Sequence, residues 1–297
     1  MAGSSLRKAD AALARIESAN GLDGLADKVA TNMRRLIRPG FIEDQLSGTA
    51  VGHPVHPAIV AVPIGAWTLA STLDLTGGDE SAADVAVAIG TLSALPAALA
   101  GWSDWLSTEG AERRVGLVHG LANFVGVSLQ SASWVARRRG RRITGAGLSL
   151  AALALTGAAG WLGGHLAYAM GVGVDTTAFQ KYPTDWTDVL AADDVPASGS
   201  ATGEADGVPL LFARVKGDIV ALADRCTHRG APLHEGEIAD GCVTCPWHGS
   251  VFELSTGDVV SGPATRPQPS LEVRVVDGRV QVRRDEQRTL RTNPAGR

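Results

Sequence analysis

Two short stretches of this sequence each place a cysteine close to a histidine. The first reads C-T-H-R-G and supplies Cys226 and His228, and the second reads C-P-W-H-G-S and supplies Cys245 and His248. The whole chain contains only 3 cysteines and 7 histidines, and these two short stretches together supply two of each. Thiolates and imidazoles are good ligands for zinc and iron, and four of them in two adjacent pairs predict a metal centre.

Two kinds of metal centre can be built from this ligand set. The four side chains could hold one tetrahedral zinc ion, or a [2Fe–2S] cluster in which two histidines replace two cysteines on one iron. Gly230 and Gly249 follow the histidines, where the backbone must pass close to the metals. Pro232 and Pro246 restrict the backbone of the same loops. These details favour the iron–sulfur cluster.

The pattern C-x-H, a spacer and then C-x-x-H-G resembles that of the Rieske ferredoxins. The resemblance covers roughly residues 184–286. It implies that Cys226 and Cys245 bind one iron of the cluster, and that His228 and His248 bind the other. The thiolates would then lie on the buried side of the cluster, and the imidazoles would lie near the surface.

The same resemblance implies roles for residues around the ligands. Ser250 matches the position whose hydroxyl bonds a bridging sulfide, and Pro263 belongs to a loop, Ser261-Gly262-Pro263, that closes over the cluster. Ala231 and Trp247 stand where quinol-oxidising Rieske proteins carry two further cysteines joined as a disulfide.

Phe252 stands where the quinol-oxidising proteins have a tyrosine that donates to a cysteine sulfur. Fewer donors stabilise the reduced cluster less, so we expect a midpoint in the lower third of the range of roughly −150 to +300 mV. The third cysteine, Cys242, is interpreted as a small buried apolar residue and not as a ligand.

The sequence after the second loop argues against an oxygenase. Rieske oxygenases carry a second iron, held by two histidines and a carboxylate, in a domain that follows the cluster domain. No histidine follows His248 in this sequence. We therefore expect an electron-transfer module.

Long uncharged runs dominate the first half of the chain. Residues 57–73, 85–103, 115–136 and 143–174 contain no Asp, Glu, Lys or Arg. A helix needs about 20 apolar residues to cross a bilayer, and core helices of soluble proteins normally keep a polar stripe. The runs therefore predict four transmembrane helices.

The last hundred residues change to a β pattern. Leu271, Val273 and Val275 alternate with polar residues before a turn at Asp277-Gly278. The expected fold class is an all-α four-helix transmembrane bundle followed by an all-β domain, an antiparallel β-sandwich with two cluster-binding loops. The expected divisions are a polar N-terminal segment with an amphipathic helix (1–46), the membrane domain (47–174), a linker (175–183), the Rieske domain (184–286) and a disordered tail (287–297).

Four of the remaining histidines lie in or beside the membrane domain. His53 and His56 enter the first helix, His119 lies near the start of the third, and His165 lies near the end of the fourth. Because the chain crosses four times, these helix ends fall on the same face, from which the Rieske domain continues. Ionisable residues are costly in a membrane, so these four are candidates for function.

The run G-H-P-V-H-P at 52–57, followed by an apolar helix, resembles a family of bacterial four-helix membrane domains without an assigned function. The resemblance covers about residues 47–174. Four interpretations of the histidines stay open: ligands for haem b, ligands for another metal, hydrogen-bond partners of a quinone head group, and polar packing at the interface.

These observations together predict a membrane-anchored electron carrier. It would pass single electrons between a partner and a haem or quinone site in the membrane domain; the alternative is an anchored ferredoxin or a redox sensor without such a site. The expected partners are a lipid bilayer and a redox protein, and a net charge of −4 argues against nucleic acid.

The side of the membrane on which the Rieske domain lies is indicated by two opposing signals. Arginines between the third and fourth helices favour an external Rieske domain. The polar N-terminal segment and the missing disulfide favour the cytoplasmic side, which we expect.

Overall fold

The computed structural model describes residues 2–285, with side chains from residue 10 onward, and divides the chain into two compact units. The first unit contains residues up to 38 and 54–172, and the second contains residues 39–53 and those from 173 onward. The sequence prediction began the membrane domain at residue 47, but the structure groups residues 39–53 with the second unit. The tail expected at 287–297 lies outside the described residues.

The first unit consists of helices. These are α1 (Ala2–Glu17), α2 (Asp23–Leu36), α4 (His56–Ile59), α5 (Ala61–Thr76), α6 (Glu80–Trp105), α7 (Gly110–Arg138) and α8 (Arg142–Tyr168), while α3 (Phe41–Ser47) belongs to the second unit. Where the sequence predicted a single amphipathic helix, residues 2–36 form two helices, α1 and α2. The break follows Ser18, whose hydroxyl donates to the carbonyl of Ala14 at 2.7 Å, and the guanidinium of Arg114 binds Glu17 O and the Asp23 carboxylate on either side of it.

Four spans in this unit are long and apolar enough to cross a membrane: His56–Thr76, Glu80–Trp105, Gly110–Arg138 and Arg142–Tyr168. Only 22–33% of the most apolar window of each span is buried inside the protein. Large apolar side chains such as Leu92, Phe124 and Ile143 point outward. An outer surface of this kind is suited to lipid, and helices satisfy their own backbone hydrogen bonds there.

The four long helices form two antiparallel pairs. α5 packs on α6 and α7 packs on α8, and the pairs join through α6 with α7 and α5 with α8. α5 and α7 therefore lie diagonally across the bundle. The turn after α5 is fixed by Gly77, whose φ of 68° suits glycine, and by Asp79, whose carboxylate accepts from the backbone N–H of Ala82 at the start of α6.

Four charged side chains form a cluster of ion pairs at one end of the bundle. The buried guanidinium of Arg137, at the end of α7, binds the carboxylates of Asp74 on α5 and Asp84 on α6. Arg142, in the first turn of α8, binds the same two carboxylates at 2.7 and 2.6 Å. Each of the four long helices therefore contributes one charge, and each charge lies next to charges of the opposite sign, with Arg137 and Asp74 buried and Arg142 and Asp84 partly exposed.

The described part of the second unit, which ends at residue 285, contains ten antiparallel strands in two sheets. They are β1 (Thr187–Ala191), β2 (Ser200–Ala205), β3 (Val208–Val215), β4 (Asp218–Ala223), β5 (Glu237–Ala239), β6 (Cys242–Thr244), β7 (Val251–Glu253), β8 (Val259–Ser261), β9 (Ser270–Val276) and β10 (Arg279–Arg284). One sheet has the order β1-β10-β9-β4-β3-β2, and the other has the order β5-β6-β7-β8. Gly203 on β2 lies against Val189 and Leu190 on β1, where a Cβ would clash, so the large sheet nearly closes. The expected fold class is confirmed.

Residues 39–53 form a strap on the β unit. The hydroxyl of Thr49 donates to the carbonyl of Ala264 at 2.8 Å, and the carboxylate of Asp44 accepts from the backbone N–H of Gly262 at 2.7 Å. A Cβ on Gly262 would overlap Thr49, so only glycine allows this approach. The strap thus holds the loop that the sequence places over the cluster.

Candidate iron–sulfur centre

Both cysteine–histidine stretches fold into the same tight turn. In the first, Gly230 N–H donates to Cys226 O at 2.8 Å; in the second, Gly249 N–H donates to Cys245 O at 3.1 Å. The two glycines have φ values of 79° and 75°, which side chains with a Cβ rarely adopt. The glycines seen in the sequence are therefore required by the turn that presents each ligand pair.

The two cysteine side chains lie together in the core of the β unit. Both are buried, and they belong to the same apolar cluster. The neighbouring Cys245 sulfur and burial raise the pKa of Cys226, whereas the Cys226 thiol and the backbone N–H groups of Trp247 and His248 lower the pKa of Cys245 to about 6. At Cys245 the surroundings therefore stabilise negative charge on sulfur, as a thiolate ligand requires, whereas at Cys226 burial and the neighbouring sulfur oppose that charge.

The imidazole rings of His228 and His248 lie next to each other. The ring centroids of His228 and His248 are 5.1 Å apart and the rings are nearly perpendicular. Burial and the nearby positive charges of His248 and Arg229 lower the pKa of His228 to about 3, so its imidazole is neutral at neutral pH. Its Nδ1 is buried and has no hydrogen-bond partner in the described part of the chain. A buried orphan nitrogen is costly unless a ligand such as a metal ion occupies it.

The arrangement as a whole fits a two-iron cluster better than one zinc ion. Within residues 2–285, no three His, Cys, Asp or Glu side chains converge on a point that could hold a single metal ion. A tetrahedral zinc site would need four such ligands around one point. Two adjacent thiols and two adjacent imidazoles match a centre in which each iron takes two protein ligands. The ligand roles of Cys226, Cys245, His228 and His248 remain predictions that this geometry supports.

The residues expected around the cluster form one hydrogen-bond network. The buried Ser250 hydroxyl oxygen accepts from Ala264 N–H at 2.9 Å, which leaves its own proton free to bond a sulfide. Pro263 is buried in the same loop. Through Ala264, this loop is also bound by Thr49 of the strap.

A buried glutamine that the sequence did not single out ties two loops together. The side-chain amide of Gln268 donates to the carbonyls of Ala223 and Arg225 at 2.6 and 2.7 Å, and its Oε1 accepts from Thr227 N–H at 3.1 Å. Thr227 lies between two predicted ligands, so Gln268 positions the first loop. A glutamine between two prolines, Pro267 and Pro269, gives no sequence signal for this role.

The four membrane-domain histidines do not form one cluster. His53 belongs to the second unit and is exposed, and His165 binds the carboxylate of Glu17 at 2.9 Å. His56 Nδ1 donates to Ala97 O at 2.8 Å, and His119 Nδ1 donates to Ala159 O at 2.7 Å. Only His56 and His119 share the same kind of environment.

Residues 185–277 match the family model described as Rieske [2Fe-2S] domain, and residues 52–176 match the one described as Predicted membrane protein (DUF2231). The anthranilate 1,2-dioxygenase ferredoxin subunit of Burkholderia cepacia is 34% identical over 98 residues, which cover 33% of this chain and 91% of that protein. Ferredoxin CarAc of Metapseudomonas resinovorans is 37% identical, covering 33% and 92%. A solved complex of oxygenase and ferredoxin in carbazole 1,9a-dioxygenase matches with 36% identity over 33% of this chain and 92% of that chain, with a TM-score of 0.32.

The β unit is therefore an electron-transfer domain that holds a [2Fe–2S] cluster. The chain belongs to the Rieske family through this domain, and its fusion to a membrane domain of the second family is confirmed.

The position of Phe252 makes the expected low potential testable. Phe252 is fully buried in the same apolar cluster as both cysteines. We expect Phe252→Tyr to raise the midpoint by about 30–60 mV, about 0.7–1.4 kcal/mol for one electron, because a new O–H donor to sulfur stabilises the reduced state. A redox titration followed by the cluster's paramagnetic signal measures this.

The matched control is Phe212→Tyr. Phe212 is equally buried, but it packs in the second apolar cluster of the β unit, away from the cysteines. Its variant should lower stability without moving the midpoint. An unchanged or lower midpoint in Phe252→Tyr would mean that this ring does not face a cluster sulfur.

Proposed function

We propose that this protein is a membrane-anchored Rieske electron carrier, which passes single electrons between a redox partner protein and a redox site in its own membrane domain. The observation that carries the proposal is the presence, in one chain, of a domain similar to dioxygenase ferredoxin components and of four spans that suit a membrane. A soluble carrier would need no such spans.

The residues of the β unit support this role. The bound cluster supplies one-electron chemistry, since its iron pair accepts and releases a single electron. Cys226 and Cys245 would hold it on the buried side, where backbone N–H groups stabilise the sulfur charge. His228 and His248 are only partly buried, and the indole of Trp247, which is 57% exposed, lies edge-on to His248 at 6.4 Å. The imidazole side is therefore the side from which a partner can exchange electrons.

The proposal also includes a cytoplasmic position for the Rieske domain. None of the three cysteines is in a disulfide, and a Rieske domain without a disulfide suits a reducing compartment.

The proposed function can be tested by the fate of an electron placed on the cluster. The full chain is embedded in lipid nanodiscs, the cluster is reduced by a flash with a soluble photoreductant, and its absorbance is followed. We expect the cluster to be reoxidised without oxygen, because the membrane domain supplies an acceptor. In the double variant His56→Ala/His119→Ala we expect the cluster to stay reduced.

The alternative is an anchored ferredoxin or redox sensor without an acceptor in the membrane domain. It predicts that the cluster of the native protein stays reduced as long as that of the double variant. That result would contradict the proposed function.

A further inference from the structure

His56 and His119 make the same set of contacts, each within a different helix pair. Each ring donates from Nδ1 to a carbonyl on the partner helix of its own pair, 41 residues beyond His56 and 40 residues beyond His119. One turn after each accepting carbonyl there is a glycine, Gly101 in the first pair and Gly163 in the second. A Cβ on these glycines would lie 2.9 and 3.1 Å from the histidine rings.

The repeat extends beyond the histidines. Asp74 on α5 and Arg137 on α7 occupy matching places near the ends of their helices, and they bind each other. Gly77 and Gly140, both with positive φ, end the first helix of each pair. The two helix pairs are therefore repeats of one unit, so His56 and His119 lie at equivalent positions: His56 begins the span that continues as α5, and His119 lies on α7, diagonal to α5. Both residues lie nearer the first than the last residue of their spans, and these two spans run in the same direction, so the two histidines belong to the same end of the bundle.

The hydrogen bonds fix the chemistry that both rings offer. A carbonyl oxygen can only accept, so Nδ1 must carry the proton in both histidines. In a neutral ring the other nitrogen, Nε2, then keeps its lone pair. For His119 this agrees with the side-chain amide of Asn123, whose Nδ2 lies 3.1 Å from Nε2 and donates to it. A histidine that ligates a metal typically has its second nitrogen bound to a carbonyl or carboxylate in this way.

We infer that His56 and His119 are the two axial ligands of a b-type haem in the membrane domain. This inference rests on the proposed function, for which it supplies the acceptor. Haem iron takes two axial imidazoles, which equivalent residues on opposite helices of a bundle can provide. His53 and His165 take no part, since one lies in the other unit and the other is bound to Glu17.

A quinone fits the two lone pairs less well. Its oxidised form presents carbonyl oxygens, which are hydrogen-bond acceptors. They would face the Nε2 lone pairs of the two histidines, which are also acceptors. Only the hydroxyl groups of the reduced form could donate to Nε2. Iron binds an imidazole lone pair in both of its oxidation states, so a site that must work in both states favours the metal.

The test is the haem and iron content of the full chain purified in detergent after expression with added haem precursor. We expect about one haem per chain with a low-spin spectrum, and about three irons instead of the two of the cluster alone. His56→Ala and His119→Ala should each remove the low-spin spectrum. His165→Ala, a matched membrane-domain histidine, should leave it unchanged.

Two further measurements separate ligation from a structural role. Imidazole added to His119→Ala should restore the low-spin spectrum if the side chain is a ligand, because the free base can fill the vacated place. Asn123→Ala should tighten haem binding roughly threefold to tenfold in a haemin titration, since it removes a hydrogen bond that competes for Nε2.

The inference fails if the native protein binds no haem under these conditions, or if both alanine variants keep the native spectrum. If the cluster signal is intact and the flash-reduced cluster is still reoxidised, the proposed function stands while the haem assignment falls. Reoxidation that depends on added quinone would then assign the site to quinone. If the cluster is not reoxidised in a haem-containing protein, the haem stands and the proposed electron path falls.

Discussion

His228→Ala is expected to abolish the paramagnetic signal of the reduced cluster and to remove most of its iron, and Cys245→Ala should do the same. Each variant leaves one iron with a single protein ligand, and the buried partner side chain loses the group that satisfies it. The four transmembrane helices should still form, because the two units have separate cores. Iron analysis and electron paramagnetic resonance of the purified full chain give the answer.

The chain offers a matched control for each ligand type. His234 lies in the same unit, but its ring is bound to the carboxylate of Asp224 at 2.7 Å. Cys242 lies on β6, opposite Glu253 and outside the apolar cluster that contains the other two cysteines. His234→Ala and Cys242→Ser should retain the cluster. A full signal in His228→Ala or Cys245→Ala would refute the ligand assignment.

Arg137→Ala is expected to lower the free energy of unfolding of the membrane domain by about 3 kcal/mol. The guanidinium is fully buried, and its loss removes one of two cations that balance Asp74 and Asp84. Breaking a buried ion pair typically costs about 3–5 kcal/mol, and the retained Arg142 places this case at the lower end. Unfolding in mixed detergent micelles, followed by circular dichroism, measures the change.

The control for this prediction is Arg139→Ala, since Arg139 is exposed two residues away and should contribute little. A second variant tests the neighbouring charges. Exchanging the two residues, as Asp74→Arg together with Arg137→Asp, should not recover the lost stability, because it places an arginine beside Arg142 and an aspartate beside Asp84. If Arg137→Ala is as stable as Arg139→Ala, the charge cluster does not hold the bundle together.

The sequence was most informative where chemistry constrains neighbouring residues. The cysteine–histidine turns and the uncharged helices were predictable, because ligand spacing and the cost of charge in lipid act over a few residues. The membrane histidines show the opposite case. Their partners, Ala97 and Ala159, contribute backbone carbonyls, which any residue type could supply, so only the structure separates His56 and His119 from His53 and His165.

Contacts between distant segments were equally hidden. Thr49 and Ala264 are 215 residues apart, and the sequence around Thr49 carries no β or ligand pattern. The start of the membrane domain at residue 47 stays a sequence prediction, and the structure groups residues 39–53 with the second unit. Thr176, near the start of the predicted linker, donates to Cys226 O at 2.7 Å, a contact that the sequence gives no sign of.

Because of the strap, the redox unit of this chain includes residues 39–53 in addition to those from 173 onward. The backbone passes between the two units after residue 38, after residue 53 and after residue 172. A single proteolytic cut near residue 172 would therefore leave the strap joined to the membrane helices, and would remove the partners of Gly262 and Ala264 from the released fragment. For the same reason, replacing only the C-terminal half with another ferredoxin would remove the loop of Gly262 and Ala264, to which the strap is fitted. The strap would then remain without its partners.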